Sequence, residues 1–151
     1  DVDPKAIVIQ AGTNNIGGTP GGQEKVESIV AGIAAIVESS RDRAPAAEIV
    51  LTAIFPRSEP AVVAEIAAIN RRLEQLAVDR ELFFLNVNDD LADADGLLRE
   101  EMSTDGLHLS AAAYEVWAEA LRPVLTELLG PPAASDHAPP ATGNPAARSS
   151  G

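Results

Sequence analysis

"AIVIQAGTNN", residues 6–15, begins with an apolar, largely β-branched run between Pro4 and Gly12, which predicts a strand from Ala6 to Gln10 buried on both faces. The run empties into a glycine-rich loop, "GTNNIGGTPGG" (12–22). From about Gln23 to Arg43, Val26, Ile29, Val30, Ile33 and Val37 recur at three- and four-residue steps, the spacing of one apolar stripe on a helix. The unit then repeats. "EIVLTAIF" (48–55) predicts a second buried strand stopped by Pro56, and Val62, Val63, Ile66, Leu73 and Leu76 mark a second amphipathic helix ending near Asp79. "LFFLNV" (82–87) predicts a third strand. An irregular stretch follows to Leu109, and then a helix with Ser110 as N-cap and an end near Gly130, which Pro123 is expected to kink or shorten. Strands alternating with helices through short connections imply parallel βαβ units, hence an α/β fold with a three-layer sheet.

Composition narrows the function. The chain has 151 residues, 46% of them hydrophobic and 23% charged, which suits one soluble globular domain. A formal net charge of −12 and the lack of a basic cluster argue against nucleic acid as partner, because that binding draws on Lys and Arg contacts to phosphates. Without cysteine there is no disulfide framework, thiolate nucleophile or Cys-ligated zinc. No apolar run reaches the roughly 18 residues of a membrane span. Residues 1–130 read as the folded part. From Pro131 onward 11 of 21 residues are Pro or Ala, so 131–151 is expected to be a disordered tail, with His137 a solvent-exposed bystander.

Ligands of an open parallel sheet bind beyond the carboxyl ends of its strands. Three loops leave such ends: "GTNN" (12–15), "PRSEP" (56–60) and the 88–109 segment. They bring Asn14, Asn15, Asp105 and His108 toward one rim. In "DGLHLS" (105–110), Asp-x-x-His spacing lets the carboxylate accept the Nδ1 proton of its own histidine and leave Nε2 free as a base. The same spacing also fits a turn-forming aspartate before Gly106, with a histidine satisfied by backbone. Spacing alone leaves both open.

"AIVIQAGTNN" and "DGLHLS", in this order and separated by two βα units, resemble the third and fifth sequence blocks of the SGNH (GDSL-type) hydrolases. The likeness is to the branch similar to the catalytic subunits of platelet-activating-factor acetylhydrolase Ib. "LTAIFPR", "NRRLEQLA", "DADGLL" and "AAAYEVWAEALRPVL" extend it from about Pro4 to Leu129. The resemblance implies a flavodoxin-like sheet of five parallel strands, of which this chain would supply the last three. It implies Asn14 as an oxyanion donor, His108 as general base and Asp105 as its orienter. The activity implied is serine esterase chemistry on a small acyl, for instance acetyl, ester, with no metal or organic cofactor.

The chain departs from the family's pattern at its N-terminal side. The Gly-Asp-Ser block that carries the nucleophile, and the glycine that gives a second oxyanion donor, are not present. Ser103 lies on the right loop but lacks a strained strand-to-helix turn to present its Oγ, Ser110 suits a cap, and Ser58 has no supporting motif. An apolar first strand left at a sheet edge should have something beside it. The expectation is therefore that N-terminal strands carrying the serine precede Asp1 or come from another chain, and that 1–151 alone is inactive. The alternative is a non-catalytic SGNH-like module that binds carbohydrate or protein. "NDDLADADG" (88–96) fails as a calcium loop, since an EF-hand alignment on Gly96 puts Leu91 and Met102 at its anchor positions. The eight acidic residues between Glu81 and Asp105, against one Arg, read instead as a solvated rim. The glycine-rich loop lacks the lysine of a P-loop and the spacing of a dinucleotide fingerprint.

Overall fold

The computed structural model describes residues 3–17 and 22–132. Its apolar runs form one parallel sheet in the order β1 (Ala6–Ile9), β2 (Glu48–Thr52), β3 (Phe83–Leu85). Ala6 pairs with Glu48 through to Ile9 with Leu51, and Val50 with Phe83 through to Thr52 with Leu85. Both crossovers are helical, α1 (Gly22–Arg43) and α2 (Val63–Asp79), the latter entered through a 3-10 turn at Pro60–Val62.

Each crossover helix buries the stripe that its sequence period predicts: Val26, Ile29, Ile33 and Val37 on α1, and Ile66, Ile69, Leu73 and Ala77 on α2. With Ile9, Ile49 and Leu51 these form one core on one face of the sheet. Burying a side chain such as Ile or Leu contributes roughly 1.5–3 kcal/mol, so this face dominates stability. The final helix, α4 (Ala111–Leu129), packs against β1 and β3 in a separate cluster of Val87, Leu91, Leu98 and Ala113. There Trp117 meets Phe55 edge to face, with ring centroids 5.4 Å apart. Helices cover both faces, giving the predicted three layers.

The sequence reading needs correction at several points. Only the central β2 is buried on both faces; β1 lies at the sheet edge, and Val8 is 37% exposed. The second strand stops at Thr52 rather than Phe55, because the carboxamide of Asn70 on α2 takes both backbone polar groups of Ile54. The irregular stretch contains a short helix, α3 (Asn88–Leu91), and a 3-10 turn at Glu100–Met102. Pro123 does not shorten α4, which runs on to Leu129; it sits on the exposed side, where the carbonyl left without an N–H partner can reach water. Ser110 and Gly130 cap α4 as expected, the serine Oγ accepting from the Ala113 N–H and Gly130 adopting φ +83°. The tail reading, His137 included, falls outside the described residues from 133 on. Among the described residues no helix is long and apolar enough to cross a membrane.

Candidate active site

All three strands are parallel, so the loops that follow β1, β2 and β3 leave the same edge of the sheet. The middle loop ties them together. Arg57 donates to the carbonyl of Ile16 at 3.2 Å, and the Ser58 N–H donates to the carbonyl of Gly106 at 2.9 Å. The Ser58 hydroxyl donates to the carbonyl of Leu98 at 3.0 Å.

In the first loop, Gly12 takes φ +108°, a conformation that favours glycine, and a Cβ built there would lie 2.8 Å from Ile54 Cδ1, so the buried isoleucine would have to shift. The turn closes through the Asn15 N–H to the Gly12 carbonyl at 3.0 Å and is anchored by the buried Ile16. Asn14 stands exposed on this 3-10 turn. Its carboxamide has no hydrogen-bond partner among the described residues.

The third loop carries the acid–base pair. Ser103 and Leu109 form an antiparallel bridge that closes residues 104–108 into a tight loop. Within it, Asp105 Oδ2 lies 2.6 Å from His108 Nδ1, while Oδ1 accepts from the N–H groups of Leu107 (2.9 Å) and His108 (2.8 Å). The hydrogen bond from the His108 ring, then the backbone N–H groups of His108 and Leu107, hold the Asp105 carboxyl well below the usual carboxylate range. An ionised carboxylate can only accept, which in the neutral ring favours the proton on Nδ1 and the lone pair on Nε2. Asp105 is the only hydrogen-bond partner of the imidazole among the described residues. The ring is 79% exposed, with Nε2 unengaged.

The serines of these loops are otherwise occupied. Ser103 is buried, and its hydroxyl donates to the His108 carbonyl at 2.6 Å and accepts from the Gly106 N–H at 2.9 Å. Ser58 and Ser110 are engaged with loop backbone. The expected convergence is therefore one of topology: Asn14, Asp105 and His108 share a rim, and no hydrogen bond joins Asn14 to the pair among the described residues. Five clefts of about 440 to 560 Å³ on the described surface are lined by none of the three. The acidic stretch is exposed at Asp89, Asp90, Asp93, Asp95, Glu100 and Glu101, and Asp93 Oδ1 is spent on the N–H groups of Asp95 and Leu97. Among the described residues no group of three His, Asp or Glu side chains is placed to hold a metal ion.

Sequence reasoning missed Asn70, Ser103 and the contact of Ser58 with Gly106 as builders of this rim. Asn70 had a signal, since it falls on the apolar stripe of α2 beside Ile66, Ile69 and Leu73.

Comparison with known proteins agrees with this architecture. Residues 1–116 match the model of the GDSL-like lipase/acylhydrolase family. Over 134 residues the chain is 32% identical to platelet-activating factor acetylhydrolase IB subunit alpha1 of Bos taurus, covering 85% of this chain and 54% of that protein. It is 29% identical over 132 residues to the alpha2 subunit of Gallus gallus, covering 85% of this chain and 55% of that protein. The chain thus spans about half the length of the curated relatives it matches. The crystal structure of a GDSL-like lipase from Bacteroides thetaiotaomicron superposes with a TM-score of 0.71 at 21% identity, covering 83% of this chain and 64% of that one, a likeness of fold. From the parallel sheet, the loops at its carboxyl edge and these matches, the chain belongs to the GDSL-like lipase/acylhydrolase family, of SGNH type.

Proposed function

We propose that this chain supplies the base, its orienter and an oxyanion donor of a serine ester hydrolase acting on a small acyl ester, with acetyl the acyl group that the names of its relatives favour. The observation that carries the reading is the 2.6 Å contact of Asp105 Oδ2 with His108 Nδ1, which leaves Nε2 free at the carboxyl edge of the sheet. In the reaction, a serine Oγ attacks the ester carbonyl while Nε2 of His108 takes its proton. The Asn14 carboxamide donates to the oxyanion as the tetrahedral intermediate forms. Collapse expels the alcohol, which receives the proton from His108. Water then repeats the sequence on the acyl-enzyme and releases the acid. Asp105 holds the tautomer and balances the imidazolium that forms transiently. None of these steps calls on a metal or organic cofactor.

The serine in this account lies outside the chain. Ser58, Ser103 and Ser110 all have their hydroxyls bonded to backbone. The open edge of β1, with Val8 exposed, is where further strands would pair and bring a nucleophile to the rim. The test is hydrolysis of p-nitrophenyl acetate by two preparations: residues 1–151 alone, and a longer polypeptide in which they join a Gly-Asp-Ser-bearing sheet half. Background rates from the first and turnover abolished by His108→Ala in the second are expected. Turnover by 1–151 that His108→Ala removes would place the nucleophile within this chain. Turnover by the longer polypeptide that survives the substitution would remove the base assignment, and a complete but inert polypeptide would point to a binding module.

A further inference from the structure

Asp105 and His108 are held by very little packing, their side chains being 50% and 79% exposed. What fixes the pair must be the backbone of the 104–108 loop, and that loop is built around one buried group. Ser103 is 7% exposed, and three backbone groups of the loop converge on its Oγ: it accepts from the Gly106 N–H at 2.9 Å, lies 3.3 Å from the Asp105 N–H, and donates to the His108 carbonyl at 2.6 Å. Gly106, at φ +77°, turns the chain back over this hydroxyl, and a Cβ there would come within 2.9 Å of Ser58 Cβ. The loop therefore has a hydrogen-bonded centre and an outer brace.

We propose that Ser103 is a positioning residue for His108: its hydroxyl fixes the backbone of the loop from inside, and so sets the imidazole against Asp105 with Nε2 outward. This rests on the reading of His108 as the general base. Both ends of the Asp105–His108 contact depend on that hydroxyl. The Asp105 backbone is met at its N–H, and the His108 backbone at its carbonyl, so the 2.6 Å side-chain contact is the third side of a frame whose other two sides pass through Ser103. A hydroxyl both donates and accepts, which this role needs; a methyl does neither, and a thiol does both weakly.

The test reads the tautomer of His108 from its imidazole nitrogen shifts in ¹⁵N-labelled 1–151 carrying the neutral ring. The variants are Ser103→Ala, Ser103→Cys, which keeps nearly the same volume should the alanine protein fail to fold, and Ser58→Ala, which removes the neighbouring hydroxyl bond to the Leu98 carbonyl and keeps the backbone bond to Gly106. The wild type is expected to hold the Nδ1–H form as the majority. Ser103→Cys and Ser103→Ala should lower it to a minority at unchanged overall fold, with Ser58→Ala keeping the wild-type share. Wild-type shares in both Ser103 variants overturn the positioning role and leave the base assignment standing. An equal loss in Ser58→Ala also overturns it, since general loosening of the loop then suffices. A wild type dominated by the Nε2–H form overturns the orienter reading itself.

Discussion

The carboxamide of Asn70 grips both backbone polar groups of Ile54, its Oδ1 accepting from the N–H and its Nδ2 donating to the carbonyl, each at 2.8 Å. Asn70 is 8% exposed, so the middle loop is bolted to α2 from inside the core. The carbonyl of Ile54 has a second donor in Asn88 Nδ2 at 2.9 Å, whereas its N–H depends on Asn70. Asn70→Ala should therefore destabilise by about 1–3 kcal/mol, the cost of one buried group left unpaired. Asn70→Asp should cost more, because it adds a buried carboxylate. Urea unfolding of both variants checks this, and a wild-type midpoint for Asn70→Ala would show that water replaces the amide.

A second expectation concerns acid. Hydrogen bonds from the His108 ring and from the His108 and Leu107 N–H groups lower the folded carboxyl pKa of Asp105 below the unfolded value, so the folded state binds its proton less readily than the unfolded chain. The stability this gives is present above the ordinary aspartate range, about pH 3.9, and is lost as pH falls toward the lower folded value. The gap in urea midpoint between wild type and Asp105→Asn should persist from neutral pH down to about pH 4 and close below it. A gap that closes between pH 7 and 5 would contradict the lowered pKa.

Asn14 and Asn15 are adjacent and both exposed, and they separate catalysis from turn structure. In the polypeptide that carries the serine, Asn14→Ala should lower kcat by about 10² to 10³ with little change in KM, since the amide meets charge that develops only in the transition state. Asn15→Ala should retain kcat. Equal losses in both variants, accompanied by lowered melting temperatures, would assign Asn14 to the turn alone.

Much of this was legible in local patterns. The stripes of α1 and α2 announced themselves because a helix buries every third or fourth residue, and the first two strand runs because β-branched residues fill a sheet between Gly and Pro stops. The family blocks pointed to Asp105, His108 and Asn14. What escaped depends on contacts distant in sequence. Ile54 and Phe55 have strand composition, yet β2 ends at Thr52 because Asn70 competes for the Ile54 backbone. The helix α3 spans four residues, Asn88–Leu91, too few to show a period. At Ser103 the sequence shows that a hydroxyl is present and not where it is spent; only the folded loop reveals the bonds to His108 and Gly106.

The central claim is that Asp105 orients His108 as the base of an ester hydrolase. The most direct measurement is kcat for an acetyl ester by the serine-bearing polypeptide with Asp105→Asn, a near-isosteric change that removes the charge and can favour the wrong tautomer. In the catalytic triad of serine proteases the equivalent change lowers kcat by about 10⁴. A loss on the order of 10³ to 10⁴ in kcat, at unchanged KM, is the result predicted here. An Asp105→Asn enzyme that keeps its full kcat would contradict it and leave the 2.6 Å contact as a feature of loop structure alone.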